Sequence, residues 1–132
     1  MPDPDPRQLW PVVVSALQLV AAEAGEQVAA LPAFVHVPDE VALTFDDAMA
    51  LVPHLLAAGL LDDAAVAQLV ALDTALQAIT VWSVAALHDE AAWHDVRQRA
   101  RALCRQLGLA RGPIDLSWGV YVPGRPSRRP RP

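Results

Sequence analysis

Residues 62–87 constrain the fold more than any other stretch, because they lie in the longest run of the chain without glycine or proline. Residues at steps of three or four follow one another there: Val66, Leu69, Leu72, Leu76, Ile79 and Ser83. This spacing is typical of one face of an α-helix. Because a helix this apolar is not stable alone in water, the other helices are expected to pack around it. The stretch therefore predicts one long central helix.

The composition supports a single helical domain. A chain of 132 residues is expected to form one domain and to bury roughly two-thirds of its unfolded surface. Alanine, the strongest helix former, accounts for 25 residues. The single cysteine, Cys104, excludes an intramolecular disulfide and fits a reducing compartment. The acidic N-terminus is unlike a signal peptide, and polar residues interrupt the apolar run 9–22, so a soluble cytoplasmic protein is expected.

The first helix is predicted from signals at its two ends. Asp5 is a candidate N-cap and Pro6 suits the first helical position, although Pro11 leaves open a start at that later residue. An apolar stripe of helical period then continues to Leu31, weakened at Gly25 and stopped by Pro32. One helix over this whole range is therefore expected.

A second helix is predicted from Thr44 to about Ala58. Thr44 and Asp47 resemble a capping box, and Gly59 is placed to end the helix. Pro53 is expected to kink or divide it, because proline lacks the amide proton that helical hydrogen bonding needs. A short link then leads to the central helix, so the two helices should form an antiparallel hairpin.

The last helix is predicted to begin at Asp89 and Glu90 and to end at Gly108. Acidic residues are favoured at helix N-termini, and glycine at the position after the last turn. Apolar residues step by three and four along it: Trp93, Val96, Ala100, Leu103 and Leu107. Arginines occupy its other faces.

Residues 114–122 change period, because apolar and polar residues alternate strictly there. Alternation predicts a half-buried strand, whose backbone needs a partner. Residues 33–37, Ala-Phe-Val-His-Val, are the candidate within the chain; without that pairing, the strand edge can recruit another chain. The predicted fold is mainly α, a four- to five-helix bundle with a short C-terminal strand. Residues 1–5 and the Pro/Arg-rich residues 123–132 are expected to be disordered, which leaves 6–122 as the domain.

The formal net charge of −5 hides a strong asymmetry. Residues 1–96 hold 14 acidic residues and one arginine, whereas residues 97–132 hold nine arginines and one acid. The chain contains no lysine. Two interpretations remain open: the basic C-terminal part lies against acidic neighbours of the same chain, or it forms a surface for an acidic partner.

One constellation suggests chemistry, at His88, Asp89, Glu90 and His94. Glu90 and His94 are four residues apart and would share a helix face, which could support metal binding or acid–base catalysis. Zinc sites usually need three or four converging ligands, and groups that cap a helix N-terminus explain the same residues. We therefore predict no catalytic, cofactor-binding or metal-binding residue, and a metal-dependent enzyme is the third hypothesis.

The leading hypothesis is a small protein-binding module, such as an adaptor, assembly factor, regulator or immunity-type protein. Tryptophan, tyrosine and arginine are enriched at interface hot spots. The predicted partner-binding residues lie in the C-terminal segment: Trp118, Tyr121, Arg125, Arg128 and Arg129. Another protein is the expected partner, and a second copy of the chain is a further candidate. The alternative hypothesis is nucleic-acid binding through phosphate contacts from Arg97, Arg99, Arg101, Arg105 and Arg111.

Overall fold

The computed structural model describes residues 5–109, and within this range the protein is helical throughout, without strands. The helices are α1 (Pro6–Ala21), α2 (Ala24–Ala30), α3 (Val37–Met49), α4 (Val52–Ala57), α5 (Asp63–Gln77), α6 (Val84–Asp89) and α7 (Ala91–Gln106). The predicted mainly α character is confirmed for the described residues. These residues are divided into more and shorter helices than the four or five predicted. The predicted strand 114–122, the C-terminal tail and residues 1–4 lie outside the described range.

The first predicted helix is two helices. α1 begins at Pro6 as expected, because the Asp5 side chain accepts a hydrogen bond from the Arg7 backbone N–H at 2.9 Å. The helix continues through Pro11 and ends at Ala21. Ala22 and Glu23 are extended, and a capping box starts α2, in which the Glu23 backbone N–H donates to the Glu26 carboxylate at 3.2 Å. The expectation of one continuous helix to residue 31 is therefore wrong.

Residues 33–37 do not form the predicted strand. They form a turn, in which the Val35 backbone N–H donates to the Pro32 carbonyl at 3.2 Å, and Val37 already begins α3. Pro38 lies in the first helical turn, where its missing N–H has no cost. The helix predicted to begin at Thr44 therefore begins earlier, and residues 33–37 offer no strand that could pair with residues 114–122.

The α4–α5 connection follows the local signals. α3 ends at Met49 and α4 begins at Val52, so the chain divides next to Pro53 as predicted. Gly59, which follows α4, has φ +78° and so adopts the left-handed conformation that glycine favours. Asp62 caps α5, because its side chain accepts a hydrogen bond from the Ala65 backbone N–H at 2.8 Å.

The predicted central helix over 62–87 is wrong in length. α5 ends at Gln77, a loop follows, and Ser83 caps α6. Two indole N–H groups hold this loop: Trp82 donates to the Ile79 carbonyl at 2.9 Å, and Trp93 donates to the Val81 carbonyl at 3.0 Å. The two rings pack edge to face with centroids 5.2 Å apart.

The centre of the described fold is the pair α1 and α7 rather than α5. α1 packs along both α7 and α3, and α7 also contacts α5 and α6. The predicted apolar face of α7 is confirmed, since four of its five members are buried: Trp93, Val96, Ala100 and Leu103. Gly108 ends the helix with φ +70°. None of the helices within residues 5–109 combines the length and apolar character needed to cross a membrane.

Candidate functional site

The predicted recognition segment lies outside the described residues. This applies to its five members, Trp118, Tyr121, Arg125, Arg128 and Arg129, and also to Arg111 of the alternative hypothesis. Their role in binding stays a prediction. The other candidate residues belong to α6 and α7, except Glu90, which lies between these two helices.

Arg97 is buried inside the protein, although the sequence suggested a surface contact. Its side chain is 3% exposed. Nε donates to the Ala22 carbonyl at 2.8 Å, and Nη2 donates to the Leu87 carbonyl at 3.0 Å. Nη1 lies 3.3 Å from His94 Nδ1. Because Ala22 follows the last residue of α1 and Leu87 belongs to α6, Arg97 connects α7 to two other helices.

Arg101 contacts the same corner from one turn further along α7. Its Nε donates to the Ala21 carbonyl at 2.8 Å, and its Nη2 pairs with the Glu23 carboxylate. Burial lowers the pKa of the Arg97 guanidinium, while nearby Glu23 raises it and Arg101 lowers it further. Two arginines of the predicted nucleic-acid surface thus hold the junction of α1 and α2.

The other two described arginines of that alternative are exposed. Arg99 pairs with Asp95 one turn earlier on α7, with Nε and Oδ2 2.8 Å apart. Arg105 lies in the last turn of the helix. The four arginines therefore share one helix but differ in their contacts and exposure. Nucleic-acid binding stays a prediction. Of the arginines predicted to contact nucleic acid, Arg99 and Arg105 are the exposed ones among residues 5–109.

The constellation of His88, Asp89, Glu90 and His94 surrounds the junction between α6 and α7. His88 and Asp89 end α6, Glu90 lies between the two helices, and His94 belongs to α7. The four residues are exposed. Within residues 5–109, no group of three or more histidine, cysteine, aspartate or glutamate side chains is arranged to hold a metal ion. A metal-dependent enzyme at these residues stays an untested hypothesis.

Cys104 is half-buried on α7 and packs against the core. Burial raises the pKa of its thiol, and nearby Arg105 opposes that shift. Because the thiolate is the nucleophile, a raised pKa makes this cysteine less reactive at neutral pH. Its environment is that of a packing residue.

Four apolar side chains that the sequence did not single out are exposed on α2, on α6 and in the segments beside these helices. Phe34, in the turn between α2 and α3, is 52% exposed. Val28 on α2, Val81 in the loop before α6 and Val84 on α6 are each about two-fifths exposed. α2 contacts α6, and α3 contacts both. We call these four residues the α2–α6 patch. Pro32 and Pro38 flank Phe34 in the sequence and favour a turn there. They do not indicate whether the Phe34 side chain is exposed.

Acidic residues accompany the patch. Glu26 is exposed on α2, and Asp89 and Glu90 are exposed at the end of α6. Over residues 5–109, thirteen acidic residues stand against five arginines. This charge favours an approaching surface that is basic.

Comparisons of the chain with protein-family models, with curated proteins and with solved structures find no match. No family or relative therefore supplies a function.

Proposed function

We propose that the protein is a small protein-binding module without catalytic activity, and that the α2–α6 patch anchors its partner. The observation that carries this proposal is the exposure of Phe34, at 52%, together with that of three valines on neighbouring elements. An aromatic side chain of this exposure contributes little to the core. A partner that covered it would remove apolar surface from water.

Exposed apolar side chains on neighbouring elements have a physical meaning when a partner covers them together. Large apolar patches on a soluble protein mark interaction sites, and aromatic residues are enriched in the buried centres of interfaces. Burying a large apolar side chain contributes about 1.5–3 kcal/mol before the costs of association are subtracted. Phe34 is therefore the residue of the patch whose removal should weaken binding most.

The acidic surface defines the second property of the partner. Glu26 lies on α2, Asp89 lies on α6 and Glu90 directly follows α6, so a partner with basic residues around an apolar centre fits best. Complementary charge mainly accelerates association and selects among partners. Binding should therefore weaken as the salt concentration rises, while the apolar contact persists.

The C-terminal segment with Trp118 and Tyr121 is the other contact surface that the sequence offers. A partner would contact this segment either in addition to the α2–α6 patch or instead of it. Substitution of either surface separates the two possibilities, because a partner held by one surface should tolerate changes in the other.

The test is a capture experiment with matched variants. The tagged full-length chain is incubated with lysate of the source cells, with and without nuclease treatment, and the bound proteins are quantified by mass spectrometry. Phe34→Ser is compared with Val70→Ser, since Val70 on α5 is 50% exposed and lies outside the patch. Trp118→Ser reports on the C-terminal segment.

The proposal predicts a defined protein that is depleted about tenfold or more by Phe34→Ser and retained by Val70→Ser. Equal retention by both variants would contradict it. Depletion by Trp118→Ser alone would move the site to the C-terminal segment. Capture that disappears with nuclease treatment would support the nucleic-acid alternative instead.

A further inference from the structure

The helix α5 carries apolar side chains on both of its sides. Its inner side is buried against the rest of the protein through Ala65, Leu69, Leu72 and Leu76. On its outer side Val70 is 50% exposed, the largest exposed fraction of any large aliphatic side chain within residues 5–109. A helix that is apolar all round is usually buried all round. The outer side of α5 therefore has the composition of a contact surface.

Four exposed residues form the centre of this outer side: Ala67, Val70, Ala71 and Thr74. They follow one another at steps of three, one and three, which places them side by side over two helical turns. We call these four residues the α5 outer face. Their spacing is symmetric about the point midway between Val70 and Ala71.

The polar groups at this face already have hydrogen-bond partners within α5. The Thr74 hydroxyl donates to the Val70 carbonyl at 2.9 Å, and Gln77 Nε2 donates to Asp73 Oδ2 at 3.1 Å. Covering the face would therefore leave neither donor unsatisfied, and the cost of burying polar groups would be small.

The absence of charge indicates which partner the face can accept. Residues 64–72 include no charged residue, although thirteen acidic residues stand against five arginines over residues 5–109. A basic partner is attracted to the acidic parts of such a surface. A second copy carries the same negative charge and is repelled by those parts, so an uncharged face is where it can approach most closely.

A second copy fits this face when the two α5 helices run antiparallel. A two-fold axis between Val70 and Ala71 would place Val70 of each copy beside Ala71 of the other, so that a larger side chain meets a small one. The parallel arrangement would instead bring Asp63 of both copies together. In the antiparallel pair these two carboxylates lie roughly 20 Å apart along the axis, at 1.5 Å per residue.

We propose that the chain forms a weak antiparallel homodimer through the α5 outer face. The dimer uses none of the residues of the α2–α6 patch, so this proposal is independent of the proposed function. Two helices in contact over a few turns bury less than the standard interface of about 1,600 Å². Association should therefore depend on concentration, with a dissociation constant on the order of 0.1 mM.

Salt distinguishes this contact from the contact at the α2–α6 patch. Salt screens the repulsion between two acidic copies, so dimerisation should strengthen as the salt concentration rises. Attraction of a basic partner to the patch should weaken under the same change.

Sedimentation equilibrium of the full-length chain tests the proposal over a series of concentrations that reaches about 1 mM. Val70→Asp places two like charges close to the two-fold axis and should weaken dimerisation at least tenfold. Phe34→Asp is the matched control, because it adds the same charge at a side chain that is 52% exposed and lies outside α5. Phe34→Asp should dimerise like the native chain.

Cross-linking tests the orientation of the two helices. In a Cys104→Ser background, Ala71→Cys should form a disulfide-linked dimer under mild oxidation, because residue 71 lies near the axis. Ala64→Cys should form one only when it is mixed with Gln77→Cys, since these positions lie opposite each other in the antiparallel pair.

Circular dichroism establishes that each variant keeps its helical content, and Val70→Ser, which should also weaken dimerisation, replaces Val70→Asp if that variant fails to fold. A native chain that stays monomeric at the highest concentration would overturn the proposal. Equal dimerisation of the native chain and the Val70 variant would overturn it as well, because association would then use another surface.

Discussion

Replacement of Arg97 by methionine tests the structural role of the buried guanidinium. Methionine keeps most of the length and apolar volume of the side chain but removes every donor. Arg97→Met therefore leaves the Ala22 and Leu87 carbonyls, which Arg97 contacts at 2.8 and 3.0 Å, without this donor. Both residues are buried, at 7% and 0% exposure, so water cannot easily replace it.

The expected effect follows from these two hydrogen bonds. A hydrogen bond to a charged group contributes about 1.5–3 kcal/mol, and a buried carbonyl left without a donor costs about 1–3 kcal/mol. Removal of the charge also abolishes the cost of burying it, which offsets part of the loss. We expect the free energy of unfolding to fall by about 3 kcal/mol, a large fraction of the 5–15 kcal/mol that is usual for a domain.

Urea unfolding monitored by circular dichroism measures this change. The midpoint should fall by about 1–2 M at an unchanged slope. Arg99→Met is the matched control: its exposed pair with Asp95 spans one helical turn and should cost only about 0.3–0.5 kcal/mol. If Arg97→Met destabilised the protein no more than Arg99→Met, Arg97 would not hold the α1–α2 corner.

Two further predictions concern α7. Trp93→Phe keeps an aromatic ring but removes the N–H that donates to the Val81 carbonyl; unfolding should become about 1 kcal/mol easier, and amide exchange over residues 78–83 should accelerate. Unchanged exchange there would show that the indole does not hold the loop. Cys104 should react with a disulfide reagent more slowly than in the urea-unfolded chain, and its rate should reach half-maximum at a higher pH, because burial raises the pKa of the thiol. Coincident pH profiles would refute this.

Helix boundaries set by local chemistry were predictable. Asp5 and Asp62 cap α1 and α5 because a short carboxylate can accept a hydrogen bond from a backbone N–H two or three residues ahead. Gly59 and Gly108 follow α4 and α7 with positive φ, which other residues adopt only with strain. These signals act within a few residues, so they are visible in the sequence itself.

Boundaries set by tertiary contacts were not predictable. The helix that was expected to continue through residues 78–83 is interrupted where Trp93, twelve residues after Val81, donates to its carbonyl. Residues 33–37 are β-prone in isolation, but Pro38 suits the first turn of a helix and α3 begins one residue before it. Short apolar runs are inherently ambiguous between strand and helix, and packing decides between them.

The same distinction between local signals and tertiary contacts applies to the candidate sites. Arg97 was predicted on another face of α7, although it follows Trp93 by four residues and precedes Ala100 by three, a spacing that fits the buried side. Its contacts to Ala22 and Leu87 depend on the arrangement of other helices, which the pattern does not contain. The exposure of Phe34 likewise depends on where α2 and α6 meet.

Hydrogen exchange of the full-length chain, with and without the protein captured through Phe34, tests the central claim most directly. If the partner binds the α2–α6 patch, its binding should slow amide exchange in α2, in the turn that carries Phe34 and in α6. Exchange in α5 should change little. Protection confined to α5 or to the C-terminal residues, with exchange around Phe34 unaltered, would contradict it.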